Sequence, residues 1–372
     1  MLQHLSVTES IIRASLGRVF GAAQLEVRQG GRTLLSQAYG WLDPETRDRP
    51  ANQDTLFDLA SVTKLFVATA FMILVEEGRV GLDQPVATVL PEFCGVRPIQ
   101  PYEDPLVPGS LVTVDAIAPA ADWPTAVDAG VVTFRNLLAH NSGLPAWRPL
   151  FRQPTAEAGR QLALATFFSY PPGARSIYSD IGLILIGLAI ERLTGLRLDD
   201  AVYRRVTGLL GLERTRYLPI GAAAPTEFCA WRGRRIAGEV HDENAAGLGG
   251  IAGHAGLFST AHDVAAFGQS FLAPGSILNS AVIAEMTRVQ AQDGFIRRGL
   301  GFALWSPDPE ASGNPFSQAA FGHTGFTGTS LWIDPGRELV VACLTNRVYY
   351  GRHAAGILAF RVALHRAIVE AL

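Results

Sequence analysis

The chain has 372 residues, 48% of them apolar and 17% charged; it can bury a large core and is neither disordered nor fibrous. A formal net charge of −3 without a basic stripe argues against a nucleic-acid-binding surface. Three scattered cysteines, Cys94, Cys229 and Cys343, offer neither a disulfide framework nor a zinc-ligand spacing.

In chain order, residues 1–20 read as an amphipathic helix with Leu5, Ile11, Ile12, Leu16, Val19 and Phe20 on its apolar side. They lack the basic, apolar and cleavage-site pattern of a secretory leader. The default location is cytoplasmic, or periplasmic or extracellular if a leader has been removed. Two strand-like runs, 22–28 and 32–39, flank Gly30-Gly31 as a hairpin. Residues 40–54 form a polar loop, and 61–77 a helix stopped by Gly78. Residues 94–131 carry many prolines and alanines with little periodicity and read as a long loop or lid. Helices are expected over 134–139, 156–168, 180–193, 198–206 and 261–272. Ser259-Thr260 caps the last of these, with Asp263 as capping-box partner. Strand patterns follow at 301–305, 319–322, 327–333 and 338–344, then a closing helix over 354–371.

Strands thus sit at both ends of the chain and helices fill the middle. The expected class is α+β, an α/β sandwich. One antiparallel sheet built from both termini is flanked by helices, and a large all-helical domain is inserted. The expected boundaries are 1–57 with 295–372 for the sheet domain and 58–294 for the helical domain, including the proline-rich loop 94–131. The cleft between them is the expected site. The longest apolar runs, 65–75 and 181–190, fall short of the roughly 18 residues of a membrane span.

Of the 31 basic residues one is a lysine, Lys64. Arginine supplies charge everywhere else, so the position that keeps lysine needs a proton that can leave, which guanidinium does not offer. Lys64 closes Ser61-Val62-Thr63-Lys64. Three residues apart on a helix, serine and lysine share one face, so the amine reaches the hydroxyl proton. Three further motifs accompany this one: Tyr178-Ser179-Asp180 at a helix mouth, His323-Thr324-Gly325 on a C-terminal strand, and His140-Asn141-Ser142-Gly143-Leu144.

In this order, with Phe57-Asp58-Leu59-Ala60 before the serine and Pro172-Gly173 before the tyrosine, the motifs resemble the serine β-lactamase and penicillin-binding-protein superfamily. The likeness is to its class C, D,D-peptidase and esterase side and covers nearly the whole chain. It implies a β-lactamase/transpeptidase-like fold and a serine hydrolase acting through an acyl-enzyme. Ser61 would be the nucleophile, and Lys64 and Tyr178 the proton carriers. The backbone N–H groups of Ser61 and Phe326 would form the oxyanion hole, and Asp180, His323, Thr324 and Gly325 would contact substrate. No cofactor or metal is implied. The partner is a small-molecule or short-peptide substrate, and the oligomeric state stays open.

Two positions depart from the family pattern. Asp180 stands where many relatives have asparagine, so it cannot donate to a substrate carbonyl when ionised, and it favours a charged Lys64. Tyr178 is then the principal base, with Lys64, an arginine or His323 stabilising its phenolate. His323 replaces the usual lysine, making that charge conditional on pH and efficient β-lactam hydrolysis doubtful. Esters or D-amino-acid peptide and amide bonds are the expected substrates. A true class C-like β-lactamase and a catalytically silent penicillin-recognising module are the alternatives. His241, Asp242 and His254 are candidates to line the cleft. His140 reads as a turn or core residue.

Overall fold

The computed structural model describes residues 5–107, 109–114, 123–352 and 355–372. Helix α1 (Ser6–Ser15) opens the chain and stops where Leu16 turns extended. Leu16 then bridges Phe20, which turns the chain towards the first strand, so the helix is shorter than its apolar pattern. The first four residues of that expected helix lie outside the described residues. Strands β1 (Ala22–Gln29) and β2 (Arg32–Gly40) form the hairpin around Gly30-Gly31, both in the left-handed region.

The helical half follows as α2 (Thr63–Glu76), α3 (Phe134–Leu138), α4 (Ala156–Leu164), α5 (Asp180–Thr194), α6 (Leu198–Val202) and α7 (Glu243–Gly247). Then come α8 (Ala261–Ser270) and α9 (Ser280–Thr287). The C-terminal strands are β3 (Ala291–Asp293), β4 (Ile296–Arg298), β5 (Ala303–Leu304), β6 (Phe321–Thr324), β7 (Ser330–Asp334) and β8 (Leu339–Thr345). Helix α10 (Ile357–Ala371) closes the chain, and position 354, its expected start, lies outside the described residues. No helix among the described residues is long and apolar enough to cross a membrane.

One eight-stranded antiparallel sheet runs β3-β4-β5-β6-β7-β8-β1-β2, joining both chain ends through β8 and β1, where Leu25 faces Cys343 and Val27 faces Val341. Side chains on β8 alternate between two cores. Leu339, Val341 and Cys343 pack with Ile12, Phe360 and Leu364 beneath the terminal helices. Val340, Ala342 and Leu344 face Val264 and Phe267 of α8 on the other side. Burying each such side chain is worth about 1.5–3 kcal/mol, and it holds the sheet between two helical layers. Helix α8, which lies in the segment expected as helical domain, therefore packs on the sheet.

Other differences have local causes. The 94–131 segment is not structureless: Val96–Pro98 pairs with Ala126–Asp128, and Tyr102–Glu103 with Leu111–Val112. Pro108 and residues 115–122 lie outside the described residues. The α8 cap is half a box: Thr260 accepts from the Asp263 N–H, but the Asp263 carboxylate turns to Arg214 N and Thr215 Oγ1. Residues 203–207 continue α6 as a π-turn, and the helix expected to 168 stops at Leu164. Strand β7 starts only at Ser330, because Gly325 N bonds Thr329 O and folds 325–329 into a turn.

Candidate active site

The Ser61-Val62-Thr63-Lys64 motif begins on a short 3-10 turn, Ala60–Val62, that runs into α2. Ala60 has φ +46°, a left-handed conformation rare for a residue with a Cβ. The surroundings hold that turn in place. Asp58 Oδ1 accepts from Ala60 N at 2.8 Å and Oδ2 from His241 N at 2.6 Å. The Thr327 and Thr329 hydroxyls donate to the Asp58 and Leu59 carbonyls at 2.7 and 2.8 Å. The His323-Thr324-Gly325 strand end is thereby stitched to the residues before Ser61. Gly325 is required there, because a Cβ would lie 2.5 Å from Leu59 O and 2.1 Å from Thr329 Oγ1.

Lys64 is completely buried. Its Nζ donates to Ser61 Oγ at 2.8 Å and to His254 O at 2.9 Å, and lies 2.8 Å from Asp180 Oδ1. The Asp180 contact is an ion pair outside hydrogen-bond geometry. Burial alone pushes the ammonium pKa down, but Asp180 and then Tyr178 outweigh it, and Lys64 is held above the ordinary lysine value. Asp180 sits in the first turn of α5, where the helix's positive end favours a carboxylate. Ser179 caps that helix and donates to Pro145 O at 2.6 Å.

Tyr178 lies among four rings and cations. Lys64 Nζ is 4.8 Å and Arg298 Cζ 5.3 Å from its ring centroid, and the His140 and His323 rings are 4.7 and 5.7 Å away. Burial, aided by Asp180, raises the phenol above its ordinary value. Lys64 and Ser61 are close enough to Oη to favour its ionised form without reversing the shift, yet neither contact has hydrogen-bond geometry.

Both histidines beside Tyr178 are buried and neutral near pH 7. For His323, burial, Lys64 and Arg298 push the pKa well below 6.5. Its Nδ1 must donate to Thr324 O at 2.8 Å, so Nε2 carries the lone pair and has no partner. The expectation of a pH-conditional charge at His323 is therefore corrected: the imidazolium is suppressed far below physiological pH. His140, at φ +57°, accepts from Ser179 N at 3.0 Å through Nδ1, and it positions the tyrosine loop.

Sequence reasoning missed Arg298. It is half-buried on β4, faces Tyr178, and among the described residues pairs with no carboxylate. No local motif marks it; the hairpin 291–298 mixes polar and apolar residues without strand alternation. Ser61, Tyr178, Asp180, His323, Thr324, Gly325 and Phe326 all line one cleft of about 790 Å³, with Lys64 beneath its floor. His241, Asp242 and His254 line it too, with Trp147, Leu106 and Phe295 at the apolar side. Asp180, Asp242 and His254 each bring one oxygen or nitrogen within 4.8 Å of the others. Asp180 already faces the Lys64 ammonium, and Asp242 faces His254.

The sequence pattern described as Beta-lactamase matches residues 9–364. The chain belongs to the beta-lactamase family. Within this family it is 32% identical to an N-acetylmuramyl-L-alanine amidase of Bacillus subtilis (strain 168), covering 92% of this chain and 81% of that protein. A putative D-alanyl-D-alanine carboxypeptidase of Escherichia coli (strain K12) is 31% identical, covering 80% of this chain and 70% of that one. A penicillin-binding-protein homologue from Caulobacter crescentus superposes with a TM-score of 0.73 over 99% of this chain and 98% of that one, at 20% identity. Like other beta-lactamase-family hydrolases, this chain is a serine hydrolase. Its antiparallel sheet with flanking helices is that family's fold.

Proposed function

We propose that the chain hydrolyses amide bonds whose leaving amine belongs to an amino acid with a free carboxylate, through an acyl-enzyme on Ser61. The observation that carries this reading is the Lys64 Nζ to Ser61 Oγ contact of 2.8 Å beside a guanidinium, Arg298, left open to the cleft. Ser61 attacks the carbonyl carbon, and its proton passes to Tyr178, whose phenolate Lys64 and Arg298 stabilise. The backbone N–H groups of Ser61 and Phe326 receive the oxyanion, each donor being worth about 3 kcal/mol in the barrier. The released amine takes the proton from Tyr178, and water then frees the acyl group.

Arg298 takes over carboxylate recognition from the neutral His323. Guanidinium–carboxylate pairs are bidentate and directional, which suits the carboxylate of a leaving amino acid. The amide cleaved by an N-acetylmuramyl-L-alanine amidase and the terminal bond of a D-alanyl-D-alanine peptide both have such a leaving group. Esters fit the same machinery with weaker anchoring. The carboxylate of a β-lactam sits beside its leaving nitrogen and can meet Arg298 as well, so penicillin is expected to acylate Ser61 and to differ from the amides by slow release.

The test is turnover of N-acetylmuramyl-L-alanine, a D-alanyl-D-alanine peptide, p-nitrophenyl butyrate and penicillin G, with Ser61→Ala as control. Amide turnover that vanishes in Ser61→Ala and exceeds penicillin turnover supports the reading. Penicillin turnover faster than both amides contradicts it.

A further inference from the structure

Release of the acyl group needs a base that takes a proton from the attacking water. Lys64 is ill suited to this, because it keeps its own proton against Asp180. We propose that Asp242 and His254 form a second proton-carrying unit, with His254 Nδ1 as the base that activates the deacylating water. This rests on the acyl-enzyme reading above.

The geometry is that of an oriented base. His254 Nε2 lies 2.8 Å from Asp242 Oδ1. A carboxylate oxygen accepts, so Nε2 carries a proton, and in the neutral form of the ring the free lone pair is on Nδ1. That Nδ1 is buried and without a partner, and the ring, 1% exposed, lines the cleft that holds Ser61. A buried acceptor left unpaired costs stability, and it persists where a group is kept ready for a proton. The arrangement is carboxylate, imidazole, open nitrogen, the logic by which a base is held in one tautomer and orientation.

The dyad is fixed from several sides. Asp242 caps α7, accepting from Ala245 N at 2.7 Å through the oxygen that binds His254. The His254 carbonyl accepts from Lys64 Nζ, itself bonded to Ser61 Oγ, so the imidazole belongs to the residue that touches the nucleophile's lysine. A nitrogen of His254 lies within 4.8 Å of an Asp180 oxygen. Gly253, just before it, packs so closely on α5 that a Cβ would stand 1.9 Å from Leu183 O. Three residues after His254, Leu257 N bonds Thr63 Oγ1 at 3.2 Å, and two residues before it, Ala252 O accepts from Tyr217 Oη at 3.0 Å.

In the step, water oxygen bonds to the acyl carbon while one water proton moves to His254 Nδ1. The bond from that carbon to Ser61 Oγ then breaks, and Oγ takes a proton from Lys64. The carboxylic acid formed returns a proton to Lys64 and leaves as carboxylate, and His254 gives its proton to solvent. One water is consumed and one proton released.

The experiment is stopped-flow hydrolysis of p-nitrophenyl butyrate with quenched-sample mass spectrometry on wild type, His254→Gln and Asp242→Asn. Glutamine keeps an N–H for Asp242 but has no basic nitrogen, and asparagine still caps α7. Both variants are expected to retain a near-wild-type burst of nitrophenol. Their steady-state rate should fall about 100-fold or more, with butyrylated Ser61 accumulating, as for a lost general base. Wild-type turnover without accumulation in His254→Gln overturns the proposal. Loss of the burst itself also overturns it, since the ring then serves acylation or the fold. Absence of any butyryl adduct in wild type, even when its deacylation is slowed by rapid acid quench, counts against the acyl-enzyme reading instead.

Discussion

Lys64 Nζ stands 2.8 Å from Asp180 Oδ1 and 2.8 Å from Ser61 Oγ, so one buried ammonium bridges a carboxylate and the serine hydroxyl. An amide at position 180 would leave burial to drive the lysine towards its neutral form. The carboxylate reverses that balance and keeps Lys64 a cation; in the proposed mechanism it steadies the tyrosine and reprotonates the serine.

Lys64→Arg keeps the charge but cannot release a proton at working pH. The expected kcat for p-nitrophenyl butyrate is about 10³-fold below wild type, within the range for removing an acid–base group. Steady-state kinetics decides it, and activity within tenfold of wild type would show that the proton is dispensable.

Asp180→Asn removes the group that raises both Lys64 and Tyr178. Because the base must be deprotonated to act and both pKa values stand above their ordinary values, wild-type kcat/KM is expected to climb with pH well into the alkaline range. In the variant that climb should begin at lower pH. A kcat/KM profile from pH 6 to 10 reads the shift, and an unmoved profile rejects the coupling.

Arg298→Gln should raise KM for carboxylate-bearing amides about 10- to 100-fold, matching the roughly 1.5–3 kcal/mol of a charged hydrogen bond. Its effect on binding a neutral ester should be small. Loss of the phenolate's partner should lower kcat for both substrates, so an equal rise in KM for both is the result that would reject carboxylate recognition by Arg298.

His140, His323 and His365 are buried, and burial is the main cause that holds each below the ordinary 6.5, His365 at about 4. The unfolded chain takes up protons near pH 6.5 that the folded chain refuses. Stability is therefore complete above that pH and is lost as pH falls, by up to about 1.4 kcal/mol per pH unit for each histidine. Urea midpoints measured from pH 8 to 4 should fall below about 6.5, and His365→Phe should flatten the slope. Rising stability on acidification would contradict the neutral assignments.

The part of the site written in short motifs was legible because its chemistry depends on neighbours in sequence. Serine and lysine must share a helix face, and the tyrosine must open α5. The strands β1, β2, β7 and β8 were legible as short runs bounded by turn residues, and β7 and β8 are buried at every position because helices cover both faces of the sheet. Arg298 was not, since its hairpin carries no alternation and its value lies in what is missing around it. The Asp242–His254 pair was visible only as cleft-lining residues, because a twelve-residue excursion, pinned by Gly253 against α5, brings the two side chains together. The charge state of His323 depends on its burial and then on the cations Lys64, Arg298 and Arg361, which converge from distant parts of the chain.

The central claim is that Ser61 is the acylated residue. Intact-mass spectrometry with peptide mapping, after incubation with a fluorophosphonate and separately with penicillin G, tests it most directly. A single adduct mapped to Ser61, absent in Ser61→Ala and formed far more slowly in Lys64→Arg, is the predicted result. An adduct on another residue, or none from either reagent in the wild-type protein, would contradict the account.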